Sequence, residues 1–192
     1  MDNNLELFTS NINALLSIYF DSDVIRNHKA VEIEKNLPNW SDKDFDDFTH
    51  YTYHFDWLLL QSLFISGFAY FESFMRITAL SIEKNKNKIK LEDIKGNGHI
   101  DTYRKYIHLI GGIEFASSDR KEWQIINEFK TIRNSLTHDN GKISKKLNKI
   151  EQHKIYFGQS NKIIRIKNVQ FLEDFCKTAI EYMEAIVSEI KK

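Results

Sequence analysis

The sequence predicts a mainly α-helical bundle built on one long central helix, with a small β-hairpin inserted before the last helix. Three observations predict it. One proline and seven glycines are all that interrupt 192 residues, so long stretches are free of helix breakers. Apolar residues recur at intervals of three or four in several segments, the period of a helix face. Strand-like composition is confined to Ile155-Tyr156-Phe157 and Ile163-Ile164-Arg165-Ile166, which flank Gly158–Lys162 as the arms of a hairpin flank its turn.

Taken in order, Leu5, Phe8, Ile12, Leu15 and Tyr19 mark a first amphipathic helix. A second, shorter one is expected from Ser22 to Asn36, stopping before Pro38. Ser41 with Asp44 three residues on reads as a capping box. From there to Lys86 nothing breaks a helix except Gly67. A straight rod of that length would run roughly 65 Å, so a bend or break is expected near Thr49–Tyr53. Trp57–Ile82 is the most apolar stretch, but Gln61, Glu72 and Arg76 interrupt it. A membrane span needs ~20 apolar residues with few charges, so a helix buried on most sides fits better. Ser66, Gly67 and Ala69 would let another helix approach closely, and part of the apolar surface is expected to meet a second copy of the chain.

A polar loop, Lys84–Gly98, precedes a helix from about His99 to Leu109, which Gly111-Gly112 ends. Trp123, Ile126, Phe129, Ile132 and Leu136 place the next helix between Ser118, as N-cap, and the stop Asn140-Gly141. After the hairpin, Leu172, Phe175, Ala179, Tyr182 or Met183, Ile186 and Ile190 stripe the last helix, from about Asn168 to Ile190. Cys176 lies beside that stripe, as a core cysteine rather than a nucleophile.

Composition narrows the class. The chain is 42% hydrophobic and 13% aromatic, which excludes disorder, and its length suits a single domain, 1–192. A lone cysteine excludes an intrachain disulfide and suggests a reducing compartment. Met1-Asp2-Asn3-Asn4 opens no signal peptide, so a cytoplasmic protein without membrane attachment is expected. No Gly-x-Gly-x-x-Gly, Walker loop or Cys-x-x-Cys is present, which leaves nucleotide hydrolysis and redox chemistry without support. Formal net charge is zero, yet Arg120–Lys167 holds twelve Lys or Arg against four Asp or Glu, a net of +8. Clustered positive charge suits a phosphate-bearing partner; a solvated face explains it equally well.

That basic portion contains Arg133-Asn134-Ser135-Leu136-Thr137-His138. Five residues apart, Arg133 and His138 stand about 140° apart on a regular helix, so they are expected to converge only if His138 frays. Arg133 offers a planar fork of donors for a phosphate. His138 can take a proton from a 2′-hydroxyl or give one to a leaving oxygen, and Asn134 can bind substrate or orient the ring. Such a set suits metal-free RNA cleavage that leaves a 2′,3′-cyclic phosphate. One histidine cannot easily be both base and acid in a single step, and a two-fold dimer would bring a second copy to the cleft. From these six residues alone, ordinary helix capping remains an open reading.

Arg-Asn-Ser-Leu-Thr-His at a helix end in an all-helical chain resembles the Arg-x4-His signature of the HEPN superfamily. Ala69-Tyr70-Phe71-Glu72-Ser73-Phe74 is similar to the helix that carries an internal glutamate in many members. The resemblance covers the scaffold from about Ser41 to the C-terminus. It implies a helical bundle, usually homodimeric. It also implies a metal-independent endoribonuclease of a toxin, abortive-infection or other defence system, with an antitoxin or other regulatory protein as partner. The alternative within the family is an inactive module that binds a nucleotide or partner. Arg133 and His138 match the two signature positions, Asn134 the polar one, and Glu72 the supporting glutamate. One subgroup carries a modified tyrosine two residues past the histidine; here that position is Asn140, so regulation of that kind is not expected. No cofactor or metal is called for.

Two further clusters carry possible ligand chemistry. Lys142, Lys145 and Lys146 are expected RNA contacts, as is Arg104, which with Tyr103, Tyr106 and His108 mixes cations with rings that stack on bases. Asp46, His50 and His54, four apart, share a helix face; without a third ligand, a solvated stripe explains them better than zinc.

Overall fold

The computed structural model describes residues 2–86, 89–139, 141–142, 156–158, 163–166 and 168–192. Among them six α-helices dominate: α1 (Asp2–Glu34), α2 (Asp42–Thr49), α3 (Phe55–Lys86), α4 (His99–Lys105), α5 (Lys121–His138) and α6 (Val169–Ile190). Two three-residue strands, β1 (Tyr156–Gly158) and β2 (Ile163–Arg165), pair antiparallel. The turn that would make them a hairpin, 159–162, lies outside the described residues.

α1 departs from expectation. It runs unbroken for 33 residues instead of ending near Tyr19 and restarting at Ser22. Nothing at Phe20-Asp21 forces a stop, and pairs one turn apart support the second half. Arg26 bonds to Asp23, and Lys29 Nζ lies 2.9 Å from Glu32. The first-half stripe is buried as read, with Phe8, Ile12, Leu15 and Tyr19 in the core.

Ser41 and Asp44 form the capping box of α2, with the Ser41 N–H 2.8 Å from the Asp44 carboxylate. Where a bend is expected, His50–His54 widen into a π-helical turn and the chain continues as α3. α3 packs against α1, α4, α5 and α6. At Gly67 a Cβ would sit 2.7 Å from Leu15 and 2.8 Å from Phe175. The small-residue site therefore admits α1 and α6 of the same chain. The run Asp42–Lys84 is long and apolar enough to cross a membrane, with 44% of its most apolar stretch buried within the protein; the core helix of a bundle passes the same test.

Phe64 stands at the centre of the core. Its ring meets Phe171 at 4.9 Å and Phe175 at 5.1 Å, both edge to face, and Phe129 at 6.1 Å. Trp123, Ile126, Phe129 and Ile132 of α5 and Leu172, Phe175, Ala179, Tyr182, Met183 and Ile186 of α6 are buried as the periodicity predicts. Cys176 is buried too, and desolvation pushes its thiol up to about 12, which keeps it protonated and unreactive.

α5 begins at Lys121, two residues later than a Ser118 cap requires, and Arg120 at its N-cap makes no side-chain cap. Ser117 turns its hydroxyl to Asp119 instead, so the polar pair closes a local turn. The other end of α5 stops as read. Gly141 adopts φ +74° and its N–H donates to Ser135 O at 2.8 Å, a left-handed ending that L-residues resist. Asn140 lies outside the described residues. Beyond the stop, Ser135 Oγ donates to Lys142 O at 2.7 Å and Ile164 N–H to Gly141 O at 2.8 Å. β2 is thereby tied to the helix end that carries His138.

Candidate functional site

α5 carries a polar stripe beside its apolar one. Lys130, Asn134 and His138 follow one another at intervals of four, so they share a face. α3 runs alongside and offers Glu72 and Phe68. The loop Lys95–Gly98 brings the start of α4 against both. Gly98 makes that approach possible with φ +91°, a conformation open to glycine, and Lys130 Nζ donates to Asn97 O to pin the loop to α5.

The result is a cleft of about 360 Å³ lined by Glu72, His99, Lys130, Arg133, Asn134 and His138, with Phe68 at its base. The volume is within the range of ligand sites. Arg133 and His138 meet here with α5 intact through His138. The expected fraying is not needed for both to line the cleft. Its guanidinium carbon lies 5.7 Å from the centre of the Phe68 ring, Nη1 donates to Asn134 Oδ1 at 3.1 Å, and Nη2 is 4.0 Å from Glu72 Oε2. Nε is buried and has no hydrogen-bond partner among the described residues. The cation is therefore aimed and loosely held.

Glu72 also holds a residue that sequence reasoning missed. Its Oε1 lies 3.0 Å from His99 Nδ1. Neighbours from α3 and α4 are 27 positions apart, so no local spacing announces the pair. Lys130 was within reach of the sequence, since it repeats the four-residue interval of Asn134 and His138. A second, more polar cleft of about 670 Å³ adjoins the first and shares Lys130 and Asn134. Asn97, Asn127 and Asp139 line it too.

The structure removes Arg104 from the RNA contacts. It is 4% exposed, donates to Asp101 Oδ1 at 3.0 and 3.1 Å and to Ala116 O at 3.0 Å, and lies 5.2 Å from the Trp123 ring. Tyr106 is fully buried and His108 Nδ1 lies 3.0 Å from Ile113 O, so this cluster ties α4 to the core and offers no stacking platform. Lys142 is exposed beyond the helix end; Lys145 and Lys146 lie outside the described residues. His50 and His54 are exposed, and among the described residues no three His, Cys, Asp or Glu side chains cluster as a metal site.

Compared with family models, curated proteins and solved structures, the chain matches none.

Proposed function

We propose that this protein is a metal-independent endoribonuclease of HEPN type, serving a toxin or defence system in the cytoplasm. The observation that carries the reading is the cleft itself, where Arg133 stands beside Asn134 and the exposed His138. A phosphodiester entering the cleft meets the Arg133 guanidinium, whose side chain is 26% exposed. The guanidinium then stabilises the charge that develops on phosphorus-bound oxygens, and His138 transfers a proton. The adjoining polar cleft supports a chain-like substrate, since Asn97 and Asn127 along it carry amides of the kind that hydrogen-bond base edges. Exposed Leu58, Tyr70 and Ile77 on α3 support pairing of two chains as part of the same reading.

The test is cleavage of a labelled single-stranded RNA in EDTA by the wild type and His138→Ala. The wild type is expected to cut, and the variant to lose ~10²–10⁴ in rate while keeping its fold. Cutting that survives the substitution, or that stops in EDTA, would overturn the assignment.

A further inference from the structure

The second imidazole of the cleft comes from the same chain. Resting on the ribonuclease reading above, we propose that His99 is its general base, with Glu72 as positioning residue, and that His138 of the same chain is the acid. The carboxylate of Glu72 can only accept, so the 3.0 Å contact requires the proton of His99 on Nδ1. Nε2 is then the nitrogen left for proton exchange, on a side chain that is 79% exposed. A carboxylate on one imidazole nitrogen fixes the ring and stabilises the positive charge that forms when the other nitrogen takes a proton.

In the step this implies, His99 Nε2 removes the proton of a ribose 2′-hydroxyl, and the freed oxygen bonds to phosphorus. The phosphorus–O5′ bond breaks, and His138 gives its proton to the departing oxygen. Arg133 faces the phosphate throughout, steadied by the other oxygen of Glu72. Both imidazoles recover their starting state by exchange with water. The charged and titratable groups around His99 are Glu72 from α3, Lys130, Arg133 and His138 from α5, and Asp101 and Tyr103 on α4 itself. Two imidazoles in one chain remove the need for a second subunit to supply one.

The experiment is single-turnover RNA cleavage in EDTA by wild type, His99→Ala, His99→Gln, Glu72→Gln and His138→Ala, with melting curves and RNA affinity beside it. His99→Ala is expected to lose ~10²–10⁴ in rate with RNA affinity and melting temperature near wild type. His99→Gln keeps a donor toward Glu72 but carries no proton, and is expected to be as slow. Glu72→Gln is expected to lower kcat while KM, RNA affinity and melting temperature stay near wild type, as loss of an orienting contact on the base does. Equal mixing of His99→Ala with His138→Ala should restore no activity, since neither chain holds both groups. Three results would overturn the proposal: His99→Ala cutting at the wild-type rate, activity regained in His99→Gln, or recovery on mixing to about a quarter of wild type. Each leaves the ribonuclease reading standing as long as His138→Ala is inactive. A wild type that cuts no RNA removes both.

Discussion

Arg104 and Arg133 have similar company and opposite fates. Each lies near a carboxylate and over an aromatic ring, Arg104 with Asp101 and Trp123, Arg133 with Glu72 and Phe68. The Arg104 side chain is 5% exposed and spends Nε, Nη1 and Nη2 on bonds of about 3 Å. That of Arg133 is 26% exposed, stands 4.0 Å from its carboxylate, and leaves Nε without a partner among the described residues. A guanidinium bonded through all three nitrogens in a dry interior holds a fold together. A partly exposed one with a long ion pair at the edge of a cleft is available to a ligand. Residue type and charge do not distinguish the two; the number of donors already spent does.

The largest expected effect breaks the first half of that contrast. Arg104→Ala leaves the buried Asp101 carboxylate without its guanidinium, and should lower unfolding stability by ~3–5 kcal/mol in a urea titration. Arg133→Ala should lower it by about 1 kcal/mol or less, as a partly exposed pair does, yet cost ~10²–10³ in RNA cleavage. Arg133→Lys should recover little of that activity, because a point charge does not reproduce the planar fork. Equal stability losses in the two alanine variants would erase the distinction.

A smaller effect is readable with pH. Burial alone would raise the Asp101 carboxyl, but the Asn97 N–H, Arg104 and Lys105 outweigh it and hold the group below the usual carboxylate range. A group depressed in the folded state stabilises above its unfolded value, near 3.8, and loses that contribution as pH falls through the folded value. Stability measured from pH 5 down to 2 should therefore drop below about pH 4, and Asp101→Asn should flatten that drop. An unchanged slope would mean that Arg104 is held by packing alone.

The smallest effect concerns the basic segment. Replacing Lys145 and Lys146 by Glu should weaken RNA binding and reduce the salt slope by about 0.7 for each phosphate no longer neutralised. An unchanged slope would mark these lysines as a solvated loop.

The helical class, the core stripes of α1, α5 and α6, and the stop at Gly141 are legible in the sequence, because each rests on periodicity or on one residue's backbone freedom. The same local rules misplace Ser118 and break α1 in two. There, side chains choose partners within a few residues, and propensity alone does not rank those choices. Arg133, Asn134, His138 and Glu72 are legible as a set through a short motif and one internal glutamate. His99 is not, since its place depends on Gly98 turning α4 onto α3, a contact between segments distant in sequence. Arg104 misleads for the converse reason. A cation among tyrosines reads alike whether the helix face is wet or dry, and its burial against Trp123 is a tertiary fact.

Metal-free chemistry at phosphorus is the central claim, and the ends of cleaved RNA report it directly. Mass spectrometry of products formed in EDTA should find a 2′,3′-cyclic phosphate on one side of the cut and a 5′-hydroxyl on the other. A 3′-hydroxyl with a 5′-phosphate, or RNA left whole by the wild type, would contradict it.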